Sequence, residues 1–399
     1  MRFLMIILLC LTTSNVFAKN CDIQFKKAVD LYRCALSADK KVTTLKMRED
    51  ERKGRKKLAA QFPNPEVESE FSFNSENSQN ISILQPIETG GKRSSRIKIA
   101  NAENRISVIE DDSTLAEVAS NVAMALVQFR QVETRLQLLL EMKKSLRHLT
   151  KSLKAKAVRT PEEKTALSIF LMQKTVLDTQ ILALNQKLGL IKTNLESSIG
   201  REIRTFEKLE SKEKKHWPTL NIISKKGSFK SRKALASVEQ LQGELDLQKS
   251  LSWPELAIGP TMERQDSNET SWGAKIEFTL PLFNFNSGGR QQAQAKLLRA
   301  KAIASQIKFY ESSKVEIYIK QYNDVTQFLK KSPSQESLRS SVAESLSYLS
   351  RGMVQPSAII ESYRSTLETL EAIQKKELIA YKLYWMLKSF SGEIPKEFL

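Results

Sequence analysis

Three glutamates at alternate positions, Glu66, Glu68 and Glu70, form the pattern in this sequence with the clearest chemical consequence. Residues two apart point to the same face of a β-strand, so these carboxylates would form one acidic row. Closely spaced carboxylates attract cations. Ordinary solvated strand residues would show the same spacing, and the sequence leaves both interpretations open. Lys275 and Glu277 alternate in the same way in a later stretch.

Residues suited to catalysis or metal binding are scarce. The 399-residue chain has two histidines, His148 and His216, and three cysteines. No Ser-His-Asp set, Cys-His set or metal-ligand cluster can be assembled from them. The dipeptide and lysine at 90–92, Gly-Gly-Lys, lack the spacing of a phosphate-binding P-loop. We therefore expect a non-enzyme with no resident metal or cofactor.

The N-terminus predicts export from the cytoplasm. A basic start at Arg2 precedes an apolar run, Phe3–Leu11, and small residues at Val16 and Ala18. This is the pattern of a secretory signal peptide over residues 1–18, and its apolar run is too short to span a bilayer. No later segment reaches the roughly 20 apolar residues of a membrane helix. Any membrane insertion of the mature chain would therefore use β-strands.

Two cysteines remain after the signal is removed, Cys21 and Cys34. An oxidising compartment allows a disulfide between them. One straight helix between them would separate them by about 20 Å, too far for a disulfide. A disulfide and two free thiols both remain open. Cys21 is a poor site for lipid attachment, because the preceding residues lack the small side chain expected there.

The formal charge of +18 does not indicate nucleic-acid binding. The basic residues are scattered, and no aromatic side chains interleave with them to stack on bases. We expect solvated helix faces instead, and no nucleic-acid partner.

Internal repetition is the strongest signal in the sequence. Four landmarks recur in the same order at shifts of 189, 195, 195 and 192 residues: Pro65 and Pro254, Pro86 and Pro281, Pro161 and Pro356, and Gly200 and Gly392. We predict a tandem duplication of helix, strand, strand, long helix, turn and helix. The boundaries follow: repeats at 19–203 and 234–394, an irregular connector at 204–233, and a tail at 395–399.

Each repeat contains two stretches that alternate apolar and polar residues. We predict strands at 66–74, 78–87, 255–263 and 271–282. Strands of ~9–11 residues match a tilted membrane strand, although a soluble hairpin packed on a core would alternate in the same way. Four strands cannot close a membrane barrel, which needs at least ~8. A membrane role therefore requires oligomerisation, and three chains would supply twelve strands.

The rest of the chain favours long helices, because 13 glycines and 11 prolines are few for this length. Residues 92–158 would form one helix of about 100 Å. Its apolar residues recur every ~3.4 positions, close to a coiled-coil seam. A turn at Arg159–Pro161 then predicts an antiparallel helical hairpin. The second repeat predicts the same hairpin, with a kink at Pro333. The expected fold is mainly α with a small β part.

Several motifs resemble one family. The strand-to-helix stretch PLFNFNSGGRQQAQAK at 281–296 and the turn-to-helix stretch SRGMVQPSAIIESYRSTLETLEA at 350–372 are similar to TolC-type outer-membrane efflux factors. FPNPEVESEF at 62–71 and WPELAIGP at 253–260 most resemble the heavy-metal, cobalt-zinc-cadmium type subgroup. The resemblance covers roughly residues 22–394.

The resemblance implies a homotrimer in the outer membrane, with four strands per chain in one twelve-stranded barrel and a large periplasmic helical part. The implied function is a passive exit duct, with metal cations among its expected substrates. An inner-membrane RND-type pump and a periplasmic adaptor would dock at the hairpin tips. Carried over by motif, the tips are Val158–Glu162 and Gly352–Ser357, and the implied tip or gate residues are Val158, Arg159, Pro161, Glu162, Gly352 and Pro356.

The residues expected to face the lumen of the barrel are Glu66, Glu68, Glu70, Lys275 and Glu277. Substitutions at Arg159 and Glu162 are expected to alter resting conductance. The first tip, RTPEE, departs from the family pattern because it lacks a glycine and carries more charge. The alternative function is a periplasmic coiled-coil adaptor or structural protein outside the outer membrane. It shares the signal and helices but needs no symmetric pairs of strands.

Overall fold

A computed structural model of the protein describes residues 28–73, 77–200, 202–203, 217–220, 227–265, 269–351 and 353–393. The described residues divide into two compact units. The first unit takes its residues from Met1–Thr44, Thr114–Ser224 and Val315–Leu399, and the second from Leu45–Ser113 and Lys225–Lys314. The predicted signal peptide, most of the predicted connector, Cys10, Cys21, Gly352 and the tail at 395–399 lie outside the described residues.

The described elements repeat in one order, helix, strand pair and helical hairpin, as the duplication predicts. In chain order they are α1 Ala28–Ala38, α2 Lys40–Ala60, β1 Glu66–Phe73, β2 Asn77–Ile87, α3 Lys92–Ala155, α4 Pro161–Ile199, α5 Phe229–Ser250, β3 Leu256–Gln265, β4 Thr270–Phe278, α6 Ser287–Lys331, α7 Gln335–Ser350 and α8 Pro356–Phe390. The predicted fold class of long helical hairpins with four strands is confirmed.

The four strands form one antiparallel sheet in the order β1-β2-β3-β4. Strand β4 ends at Phe278, four residues before the predicted end at 282. Phe278 pairs with Leu256, the first residue of β3, so no partner strand continues beyond it. The last backbone bond runs from the Thr279 amide to the Glu255 carbonyl (3.1 Å). Pro254, which precedes Glu255, has no amide proton to extend the ladder.

The first unit is held by the seams predicted from the helical periodicity. On α3, Val122, Leu126, Phe129 and Val132 are buried in one apolar cluster, which also receives residues of α1 and α4. Further along α3, a second cluster of buried side chains packs against α4, α7 and α8: Leu138, Leu139, Met142, Leu146, Phe170, Leu177, Val342, Ile359, Tyr363 and Leu370. Fully burying one such side chain contributes roughly 1.5–3 kcal/mol.

Helix α4 combines a buried seam with an exposed apolar surface. Among the described helices, it is the one long and apolar enough to cross a membrane by length and composition, which the sequence analysis does not expect. Leu177 and Leu195 on its seam are buried, whereas Met172, Leu182 and Leu190 are about 60–70% exposed. Helix α4 therefore has more apolar side chains than the first unit buries.

Pro333 separates two helices, so the predicted kink is wrong. Helix α6 ends at Lys331, and α7 begins at Gln335. Proline removes an amide donor and clashes with the preceding turn. The next residue, Ser334, starts the new helix, because its hydroxyl accepts a hydrogen bond from the Ser337 amide (3.1 Å).

The predicted connector, 204–233, is too long at its C-terminal end. Ser228 caps α5 by accepting from the Ser231 amide (2.9 Å), so residues from Phe229 onward are helical. Within the connector, Trp217 is buried against the ring of Tyr381, with ring centroids 4.9 Å apart. This part of the connector therefore belongs to the core of the first unit.

Candidate functional site

The five residues predicted to line a lumen share one face of the sheet. The register sets Glu68 opposite Ser82, Ser82 opposite Thr261, and Thr261 opposite Gly273. Alternate residues share a face, so this face carries Glu66, Glu68 and Glu70 of β1, Asn80 and Ser82 of β2, Thr261 and Glu263 of β3, and Lys275 and Glu277 of β4. We call this surface the polar face.

Hydrogen bonds tie the middle of the polar face together. The Ser82 hydroxyl donates to Thr261 Oγ1 (2.9 Å), and the Thr261 hydroxyl donates to Asn80 Oδ1 (2.6 Å). Ser82 is almost fully buried, although the surrounding surface is polar. Side chains of neighbouring strands therefore satisfy one another across this face.

An ion pair shows that the sheet is curved. Lys275 Nζ on β4 bonds to Glu68 Oε2 on β1, and it lies 3.9 Å from Glu277 Oε2. Strands β1 and β4 are the two edges, which a flat sheet would hold roughly 14 Å apart. A lysine and a glutamate meet over that span only if the sheet curls around them. The polar face is therefore concave.

The concave face is acidic. It carries five glutamates, and Lys275 is the one cation assigned to it among the described strand residues. Lys275 compensates Glu68, whereas the exposed carboxylates of Glu66 and Glu70 have no cationic partner within 4 Å among the described residues. The acidic row expected from the sequence is therefore present, but its middle member is neutralised.

The opposite face is convex, apolar and exposed. Its exposed large apolar side chains are Val67 and Phe71 of β1, Ile81, Ile83 and Ile87 of β2, Ile258 of β3, and Trp272, Ile276 and Phe278 of β4. Val67 is 70% exposed and Trp272 is 75% exposed. A soluble hairpin on a core would bury this face and leave the polar one in water. Here the apolar face is exposed as well as the polar one. An apolar surface of this extent marks an interaction with lipid or protein.

The glycines before α3 serve the fold and not a phosphate. Gly90 and Gly91 have positive φ angles of 64° and 83° and form the turn from β2 into α3. A Cβ on Gly90 would lie 2.5 Å from the Trp253 ring. Lys92 is buried and pairs with Glu255 (3.0 Å). The lysine of this motif is therefore already neutralised.

The first hairpin tip is closed by its own side chains. Arg159 donates to the carbonyls of Leu153 (2.8 Å) and Lys154 (2.7 Å), which lie in the last turn of α3. Thr160 and Glu163 form a capping box at the start of α4. The Lys156 ammonium and the Thr160 amide hold the pKa of Glu163 below its usual value.

The other residues predicted at the first tip behave differently. Pro161 is the first residue of α4, where its missing amide proton costs nothing. Glu162 is exposed, and Val158 is 88% exposed at the end of the turn. Lys156 and Glu163 were not predicted as tip residues, although the Thr-x-x-Glu spacing is the signature of a capping box.

Among its described residues, the second hairpin tip has fewer side-chain hydrogen bonds than the first. Pro356 is the first residue of α8, and its N-cap, Gln355, makes no side-chain hydrogen bond to the helix. The Met353 amide donates to the Tyr348 carbonyl (2.9 Å), while the Met353 side chain is 66% exposed. Gly352, also predicted here, lies outside the described residues. The exposed Met353 was not predicted.

A buried polar network joins α3 to α8 within the first unit. Arg130 and Gln131 both donate to the Glu377 carboxylate, Gln131 with 2.7 Å from its Nε2 to Glu377 Oε2. Gln131 and Gln374 each donate to the other's backbone carbonyl, at 2.9 and 3.1 Å. Burial raises the pKa of the adjacent Tyr381 to about 12. This network was not predicted, because its two halves are about 245 residues apart in the sequence.

Among the described residues, no group of three or more His, Cys, Asp or Glu side chains is placed to hold a metal ion. His148 is exposed, and His216 lies outside the described residues. Cys34 is disulfide-bonded and buried on α1, and its partner lies outside the described residues.

Comparisons with known proteins identify the fold. No family model matches this chain, and no curated protein matches it in sequence. The outer-membrane channel OprN matches it in structure with a TM-score of 0.71, at 13% identity, over 91% of this chain and 89% of that chain. The open-state outer-membrane channel MtrE of Neisseria gonorrhoeae matches with a TM-score of 0.70, at 12% identity, over 98% of each chain. The outer-membrane protein VceC of Vibrio cholerae matches with a TM-score of 0.66, at 13% identity, over 92% and 96%.

The chain has the fold of these outer-membrane channels. The similar structures are channel proteins, not enzymes. In this channel fold, the sheet of the single chain is open, because β1 and β4 each pair on one side only in the described residues. Edge strands of 8 and 9 residues leave rows of backbone donors and acceptors without sheet partners.

Proposed function

We propose that this protein is the outer-membrane channel of a tripartite efflux system, a passive exit duct fed by an inner-membrane RND-type pump through a periplasmic adaptor. The observation that carries the proposal is the four-stranded sheet with a concave acidic face and an exposed convex apolar face. The concave face suits a water-filled lumen, and the convex face suits lipid. The predicted export signal and the channel fold support the same conclusion.

The working form is a homotrimer that pools twelve strands. The two unpaired strand edges support this, because a lipid-embedded sheet must satisfy every backbone group. The exposed apolar residues of α4, such as Leu182 and Leu190, support it too, since a neighbouring subunit would bury them. Heat-modifiable trimers in the detergent-extracted outer-membrane fraction are the expected result. A soluble periplasmic monomer would instead favour the adaptor or structural alternative.

The lumen is proposed to select cations through its glutamates. Because Lys275 neutralises Glu68, Glu70→Gln should lower the cation preference of single channels in planar bilayers more than Glu68→Gln does. Lys275→Gln should raise cation preference. Unchanged selectivity in all three variants would remove this role from the polar face.

The hairpin tips are proposed to gate the channel and to meet the adaptor. Val158 and Met353 are the exposed apolar residues available for docking. Arg159→Gln should raise resting conductance, because it removes two bonds to the end of α3. Glu162→Gln tests the neighbouring carboxylate, which makes no hydrogen bond or ion pair with the described residues of the tip. If neither variant changes the conductance, Arg159 and Glu162 are not gate residues.

Metal cations are proposed as substrates on the resemblance of the strand motifs to the heavy-metal subgroup and on the acidic lumen. Export assays in a deletion strain, challenged with zinc, cobalt, copper and dyes, test this directly. We expect loss of metal tolerance without loss of dye tolerance. Sensitivity to dyes alone would contradict the metal assignment and leave the channel itself in place.

A further inference from the structure

In the second unit, four helix ends lie at one end of the strands, and the two hairpin turns of the sheet lie at the other end. Residues 74–76 connect β1 to β2, and residues 266–269 connect β3 to β4. The ends of α2 and α5 and the starts of α3 and α6 therefore lie at the opposite end of the strands. Basic side chains stand in or next to the terminal turn of each helix. We call these residues the collar: Lys56, Lys57, Arg93, Lys249 and Arg290.

The collar is a surplus of cations. In the described part of the chain, none of its five residues has a carboxylate within 4 Å. Glu66, at the same end of β1, lies on the polar face of the sheet, and the two acids next to α3 are already paired. Glu88 pairs with Arg96, and Glu255 pairs with Lys92. The end of the sheet near the hairpin turns has a negative net charge, because its described residues include Glu70, Glu263 and Glu269 and one cation, Arg264. The two ends of the sheet therefore differ in charge.

Aromatic and aliphatic side chains adjoin the collar. Phe62 lies between α2 and β1, and Trp253 lies between α5 and β3; they are 70% and 60% exposed. The segment between β4 and α6 exposes Leu280, Leu282, Phe283 and Phe285, with Phe283 99% exposed. This segment leads from the end of β4 to the first turn of α6. Aromatic side chains beside basic ones are typical of a membrane–water interface.

Arg290 is the member of the collar that the fold does not explain. Cations at a helix N-terminus oppose the helix dipole, and both Arg93 and Arg290 stand in first turns. Arg93 is accounted for, because it donates to the Ala60 carbonyl (2.9 Å) and stacks on Phe62 (4.4 Å). Arg290 has no such partner among the described residues, and its Nε is buried without a hydrogen bond. Arg290 as a whole is only half-buried, so an anion at this helix start could pair with its guanidinium and would also complement the helix dipole.

We propose that the collar binds the phosphate of an anionic phospholipid in the periplasmic leaflet, with Arg290 as its central contact. The acyl chains would lie along Phe283 and the convex face. This proposal rests on the proposed function, since it requires the sheet to stand in a membrane. It adds a lipid site that fixes the depth of the sheet.

The test uses the full-length protein purified in a neutral detergent and titrated with phosphatidylglycerol or phosphatidylcholine. Bound lipid is counted by native mass spectrometry. We expect phosphatidylglycerol to bind more tightly, and Arg290→Gln to weaken it about fivefold. Lys308→Gln is the matched control, because Lys308 is an exposed residue of α6 about 27 Å further along the helix. It should leave lipid binding unchanged.

A second variant separates the apolar contact from the charge. Phe283→Ala should weaken both lipids alike, because it removes acyl-chain contact and no charge. Millimolar inorganic phosphate should leave phosphatidylglycerol bound; complete displacement would overturn a lipid as the occupant. Equal binding of the two lipids by the parent protein, or an Arg290→Gln variant that binds like Lys308→Gln, would overturn the site. If the protein showing either result is a trimer that conducts ions, only the lipid site of the collar is refuted. If the protein is a lipid-free soluble monomer, the proposed function is refuted as well.

Discussion

The two helical hairpins of this protein are copies of one pattern, but their tips are held differently. In the first, Arg159 caps the end of α3, and Thr160 with Glu163 caps the start of α4. In the second, Gln355 stands at the N-cap of α8 without a side-chain bond. The arm before the tip differs as well, since α3 is unbroken over 64 residues while α6 and α7 are separated at Pro333. The two copies therefore share one topology, while the second hairpin has an interrupted first arm and an N-cap without a side-chain bond.

The largest expected effect comes from the network that joins the two hairpins. Glu377→Ala leaves the buried Arg130 without its carboxylate, which we expect to lower the free energy of unfolding by about 3–5 kcal/mol. Denaturant titration of the detergent-solubilised protein measures it. Glu361→Ala, which breaks an exposed pair with Arg364 on the same helix, is the control and should leave the unfolding midpoint unchanged. Equal midpoints for the two variants would show that the hairpins are not coupled through Glu377.

The next effect tests the seam of the first hairpin. Leu177→Ala on α4 removes a fully buried side chain and should cost about 2–5 kcal/mol of unfolding free energy. Leu190→Ala, on the exposed side of α4, should leave the fold of the subunit intact and reduce the fraction of trimer on native gels. A Leu190→Ala protein that unfolds as readily as Leu177→Ala would contradict the division of α4 into a seam and an outer face.

A smaller effect compares the two caps directly. Thr160→Ala should cost about 1 kcal/mol, because it leaves the Glu163 amide without its partner. Gln355→Ala should cost nothing measurable, because no cap bond is lost. Hydrogen exchange at the first turns of α4 and α8 resolves the two positions. If Gln355→Ala accelerates exchange at α8 as much as Thr160→Ala does at α4, the tips are equally tied.

The smallest effect is a pH dependence confined to the first tip. The lowered pKa of Glu163 means that its bonds stabilise the tip above the ordinary pKa of glutamate. That contribution is lost as the pH falls through the lowered value. After correction for intrinsic exchange rates, protection at the start of α4 should decline in acid, and Glu163→Gln should abolish the decline. A parallel decline at α8 would point to general acid unfolding.

Much of the fold was predictable because it follows from local periodicity. A period of two residues predicted the strands, and steps of about 3.4 residues predicted the seams that bury Leu126 and Met142. Local rules also set limits. Strand β4 ends at Phe278 because its partner ends, and Pro333 breaks a helix because Ser334 can cap a new one. The end of β4 depends on strand pairing, and the helix break depends on a competing cap. Neither follows from the periodicity of one segment alone.

The candidate site was predictable as a face but not as a shape. Alternation placed Glu68 and Lys275 each on the polar side of its own strand. Their ion pair depends on the curvature of the whole sheet, which links residues 207 positions apart. The same distance in sequence hid the Arg130–Glu377 pair. Contacts of this kind arise from tertiary packing, and a single sequence carries no periodic signal for them.

The central claim is that three chains pool their strands in the outer membrane, and one measurement tests it most directly. The untagged protein is extracted from isolated outer membranes in detergent, and its mass is determined by light scattering with the detergent contribution subtracted. We predict three chains of 45.4 kDa less the signal peptide, within a detergent belt. A single chain recovered from the soluble periplasmic fraction without bound detergent would contradict the account.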